Sequence, residues 1–128
     1  MKISLKNKIQ MGEEVEYIHE VHEGEWLQKG GYNYLLFTNS EKEKVVIKFS
    51  SVEMTMTRFS TPKTIMRFLE GQEAVVTIPT PLGIQHFVTQ TDAYQVDLNQ
   101  QCLYLSYHLK GLENQKIFAD YEMKISWS

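Results

Sequence analysis

Apolar and polar residues alternate with a repeat of two along most of this chain. That repeat places successive side chains on opposite faces of an extended strand. Ile3, Leu5, Ile9 and Met11 share one phase, interrupted by Asn7. Val15, Tyr17, His19 and Val21 follow, alternating with Glu14, Glu16, Ile18 and Glu20. Gly30-Gly31 reads as a turn, Tyr32 to Thr38 as a strand, and Asn39 to Glu43 as the next turn. Val45, Ile47 and Phe49 face one way, and so in their own segment do Val52, Met54, Met56 and Arg58. Pro62 breaks the chain, and Thr64 to Glu70 forms a short strand closed by Gly71. Lys63 to Leu69 is the best stretch for a helix, but it is too short to make one.

Glu73 to Ile78 is the next strand, ended by Pro79-Thr80-Pro81-Leu82-Gly83. Ile84 to Leu98 alternates for long enough to be one strand with a bulge, or two strands. Leu103, Leu105, Tyr107 and Leu109 alternate cleanly, and Ile117, Ala119, Tyr121, Met123, Ile125 and Trp127 do so again after a turn at Gly111 to Gln115. The pattern predicts eight to ten strands joined by short turns, so sequence neighbours pair as antiparallel hairpins. A sheet of that size must cover its edges, and closure into a barrel removes them. The expected fold is all-β: a closed antiparallel up-and-down β-barrel formed by residues 1–128 as one domain.

The interior expected from phase alone holds Val15, Tyr17, Val21, Val45, Ile47, Phe49, Val52, Met54 and Met56 from the first half. Leu103, Leu105, Tyr107, Leu109, Tyr121, Met123, Ile125 and Trp127 supply the second. So many large side chains fill a barrel of about eight strands and leave at most a shallow site at one end.

Composition narrows the function. The chain has 128 residues and a net charge of -3, which argues against nucleic acid as a partner. No apolar run is long enough to span a membrane, and lysines at positions 2, 6 and 8 interrupt any leader-like segment. A cytoplasmic location and a monomer or homodimer are expected. A lone Cys102 permits no internal disulfide and no cysteine metal cluster. Residues 13–25 carry six glutamates and no lysine or arginine, which makes them a solvated face, a surface for a basic partner or a weak cation site.

Candidate chemistry is sparse. His19 and His22 are three apart, which on a strand puts them on opposite faces, so they do not chelate one ion. His108 points outward from its strand and lies about 20 Å along it from Cys102, too far to activate the thiol. No nucleophile elbow, phosphate-binding loop or dinucleotide fingerprint occurs. Neither an enzyme, a metal nor a cofactor is expected. Arg58 is one of only two arginines and shares the phase of Met54 and Met56. It either lies inside, where it requires an anion, or snorkels from the barrel mouth.

Several segments resemble those of a family of small uncharacterised bacterial proteins with a calycin-like (lipocalin-type) β-barrel, a domain of unknown function. They are Val52-x5-Arg58, Met66-Arg67-Phe68 ending at Gly71, the turn Thr80-Pro81-Leu82-Gly83, Thr89-x-Thr91, Leu103-x-Leu105-x-Tyr107 and the alternating last strand. Leu82 stands where that family usually has an aromatic residue. The resemblance implies a closed barrel in a cytoplasmic bacterial protein and no known activity. The leading expectation is a small ligand, anionic if Arg58 meets it, bound at one barrel end by Tyr17, His19, Arg58 and Tyr107. The alternative is a packed interaction or scaffold module using the Glu13–Glu25 strand and exposed Phe118, Trp26 or Tyr104.

Overall fold

The computed structural model covers Met1–Ser128 and contains ten strands and no helix. They are β1 (Lys2–Met11), β2 (Glu14–Lys29), β3 (Tyr32–Thr38), β4 (Lys44–Phe49) and β5 (Glu53–Phe59). The second half supplies β6 (Thr64–Leu69), β7 (Glu73–Thr80), β8 (Gly83–Asp97), β9 (Cys102–Gly111) and β10 (Ile117–Trp127). Each strand pairs with its sequence neighbours, and β1 pairs with β10 to close an up-and-down antiparallel barrel. The long run after Gly83 is one strand, with its register shifted between Thr91 and Ala93. Residues 64–69, the best helical stretch, pair with β5 as a strand.

Directly paired residues share a face, so the registers sort inside from outside. Ile3 opposes Trp127 and His22, and Leu5 opposes Ile125 and Glu20. The interior is therefore the odd phase of β1, β9 and β10 but the even phase of β2. This reverses the expectation for β2: Val15, Tyr17, His19 and Val21 face outward, while Glu16, Ile18, Glu20, His22, Gly24 and Trp26 carry the inward phase. Val52 also leaves the expected interior, because it lies exposed in the turn before β5. Trp26 is half-buried inside, where Nε1 donates to Asn33 Oδ1 at 3.0 Å, so it is not an exposed contact residue.

One end of the barrel is plugged. Ile3, Leu35, Phe49, Leu103 and Trp127 are all but fully buried there, and Trp127 packs edge-on against Trp26 with ring centroids 5.6 Å apart. Each such side chain contributes about 1.5–3 kcal/mol by leaving water. Tyr94 reaches from β8 across to the β4–β5 turn, sharing its O–H between the carbonyls of Ser50 and Glu53, each at 2.8 Å. The core continues through Leu5, Ile47, Met54, Phe68, Leu105 and Ile125.

The other end is uneven. β3 to β6 are six or seven residues long, whereas β2 and β8 run to 16 and 15. β2 pairs with β3 only from Gly24 to Lys29, so the first half of β2 runs past the β3 wall while β1 stays paired with β10, and Glu13 to Val21 are exposed on both faces. Gly24 marks where the barrel wall begins. A Cβ there would lie 2.3 Å from the Leu36 carbonyl oxygen and 2.5 Å from Ile3 Cδ1. Gly24→Ala is therefore expected to cost about 1–3 kcal/mol, read as a lower urea midpoint with unchanged slope.

Candidate functional site

The uneven end forms a mouth. Phe37, Val45, Met56, Met66 and Ile78 line a hollow of about 310 Å³, with Glu20, Asn39, Arg58 and Thr64 around them. These residues come from β2, the end of β3, β4, β5, β6 and β7, so the hollow opens where the short wall stops. A second hollow of about 590 Å³ adjoins it at Ile78, between Phe87, Leu109, Ile117 and Phe118. The first volume sits at the lower end of the range for small-molecule sites.

Charge at the mouth is partly matched. Arg58 is half-exposed with its Nε 3.8 Å from Glu43 Oε1, so it snorkels at the rim instead of lying buried. Glu20 Oε1 is 3.5 Å from His22 Nε2, and the His22 ring stacks on Phe37 with centroids 4.6 Å apart. That ring nitrogen is buried and makes no hydrogen bond, as are Asn7 Oδ1 and Thr91 Oγ1 on the same interior phase. Buried polar atoms ordinarily have a partner, so these three are places where water or a ligand atom would be stabilised.

Of the four residues singled out by sequence, the fold brings none together. Arg58 is at the mouth. Tyr107 is buried in the barrel, stacked on Tyr121 at 4.6 Å between centroids and tilted against Phe68 at 4.5 Å. Tyr17 lies outside, 73% exposed, beside a groove lined by Lys6, Lys8, Tyr104 and Lys124. His19 is also outside, its Nε2 2.9 Å from Ser4 Oγ. Of the residues around the hollow, Glu20, Thr64 and Ile78 were not singled out for a site from the sequence, whereas Met56 and Met66 were expected to line the interior. Gly24 and Trp26 carried the available signal, because a tight glycine and a tryptophan on one phase outrank the valines of the overhang.

His108 points outward as expected and sits between two aspartates. Its Nε2 is 2.6 Å from Asp92 Oδ2 and its Nδ1 contacts Asp120 Oδ1. Both ring nitrogens are thus occupied by carboxylate neighbours. Cys102 stands near the start of β9, at the far end of that strand from His108.

A ten-stranded antiparallel meander, closed on itself, plugged at one end and hollow at the other, defines a small β-barrel protein. Residues 3–125 match the model of a domain of unknown function, DUF1934, and the chain belongs to that family. Its Thr80–Gly83 turn, one basis of the resemblance, joins β7 to β8, with Thr80 Oγ1 donating to the Gly83 carbonyl at 2.7 Å. In fold the chain is similar to the crystal structure of the ywiB protein from Bacillus subtilis, with a TM-score of 0.78 and 18% identity over 99% of this chain and 90% of that one. No curated protein matches the chain in sequence. No helix of the structure is long and apolar enough to cross a membrane.

The buried phenols give a pH prediction. Burial, and secondarily the neighbouring Tyr121, pushes the Tyr107 phenol well above its ordinary value of 10.0. Above pH 10 the unfolded chain releases this proton while the folded chain keeps it, so stability falls as pH rises. The Tyr107 share is about 1.4 kcal/mol per pH unit. Urea titrations above pH 10 should show that slope, and Tyr107→Phe should lessen it.

Proposed function

We propose that the barrel mouth binds a small amphipathic molecule. The observation that carries the reading is the 310 Å³ hollow, with five apolar side chains below and Glu20 and Arg58 at its edge. The apolar body of the ligand rests on Phe37, Val45, Met56, Met66 and Ile78, and its polar head meets the rim. Arg58 was the reason to expect an anion, but Glu43 already attends it and Glu20 adds a second carboxylate. An amine or zwitterionic head group therefore suits the mouth better than a simple anion. The protein is read as a binding protein because five of the nine residues around the hollow are apolar and the charged groups sit at its rim.

A second reading has support of its own. Sixteen buried residues form one continuous core below the mouth, as in a packed module whose work is done on its outer surface.

Two probes with the same body and opposite heads separate these readings. 2-Phenylethylamine is expected to bind, 3-phenylpropionate to bind more weakly, and Glu20→Gln to lower amine affinity by about tenfold. Met66→Trp should abolish binding by filling the hollow. Calorimetric titration gives the affinities, and native mass spectrometry of the purified protein checks for a retained adduct. A bare protein with no heat for either probe would favour the packed module.

A further inference from the structure

We infer that the free edge of β2 is a docking strand for an extended segment of another protein, one that alternates basic and apolar residues. The argument starts from the backbone. Lys2 exchanges both hydrogen bonds with Ser128, so the even residues of β1 bond to β10 and its odd residues bond to β2. Their partners on β2 are the even residues, from His22 opposite Ile3 down to Glu14 opposite Met11. The N–H and C=O groups of Val15, Tyr17, His19 and Val21 therefore point away from β1. β3 takes up that edge only from Gly24 onward. Two turns of pleat are left as an open template for another strand.

This edge is guarded by glutamates alone, which repel an acidic strand and attract a basic one. Residues 13–25 contain no lysine and no proline, and the β1–β2 register runs without a bulge from Glu23 to Glu14. The side chains define the occupant. Glu14, Glu16 and Glu20 stand on the inner face. Val15, Tyr17 and Val21 stand on the outer face, 45%, 73% and 54% exposed. A strand added here places lysines or arginines opposite the glutamates and β-branched or aromatic residues beside Val15, Tyr17 and Val21, the favourable cross-strand pairs. Lys6 and Lys8, opposite His19 and Tyr17 on β1, oppose basic residues on the outer face and so fix which face carries the charge. A second copy of this chain fits poorly. In the antiparallel registers that overlap the segment most fully, Glu20 would face Glu14 or Glu16, and like charges directly opposite are destabilising.

The test uses the whole protein and a blocked, fluorescently labelled peptide of alternating lysine and valine. Anisotropy titration is expected to show binding that weakens with salt. Reversing charge with Glu14→Lys and Glu16→Lys, both exposed and outside the mouth hollow, should weaken it by about tenfold or more. The same peptide N-methylated at each valine, whose amides face the edge, keeps its charge but cannot donate to it, and should lose binding. Equal binding of the two peptides, no binding of either, or a homodimer dispersed by Tyr17→Pro would overturn the proposal.

Discussion

The pairing of β1 with β10 is the constraint on which the rest depends. The ladder from Ile3–Trp127 to Gln10–Asp120 joins strands from opposite ends of the chain. Every other pairing is between sequence neighbours and is favoured by short turns. Without closure, β1 and β10 would each present a long unpaired edge, and Ile3, Leu5, Ile125 and Trp127 would lose their shared interior. This pairing also has the largest sequence separation in the barrel, so from the unfolded chain it has the highest loop-closure entropy.

Unequal strand lengths turn a closed barrel into one with two different ends. Where strands begin and stop together, Trp26, Phe49 and Trp127 pack into a plug, and Tyr94 ties the far wall to the β4–β5 turn. Where β3 to β6 stop short, the interior phase continues up β2 and β8 without an opposite wall. The same shortfall leaves the mouth hollow and one edge of the upper half of β2 unpaired. Both candidate surfaces thus arise from one geometric cause, although one offers a concave apolar floor and the other a row of backbone groups.

The expected class, a closed up-and-down barrel, was legible because alternation is strict wherever one face is buried. β9 and β10 show this best: Leu103, Leu105, Tyr107 and Leu109, then Met123, Ile125 and Trp127, are all inside as their phase indicated. β2 shows the failure. Val15, Tyr17 and Val21 are the apolar phase but lie outside, because this part of β2 runs past the β3 wall. Solvent on both faces removes the link between hydrophobicity and direction, and a one-residue difference in phase exchanges every side chain. Placing Tyr17 and His19 in the site followed from that one phase.

The sequence by itself determined the strands, their short connections and the inward phase of the buried ones, since those depend on local alternation and turn residues. It also narrowed Arg58 to two positions, inside or at the mouth. Only the tertiary structure decided the phase of β2, which end is open, and that Glu20, Arg58, Met66 and Ile78 meet around one hollow. Those features depend on the registers of strands far apart in sequence and on how far each strand extends past its neighbour. No local pattern carries that information, because the overhang is defined by what is missing beside it.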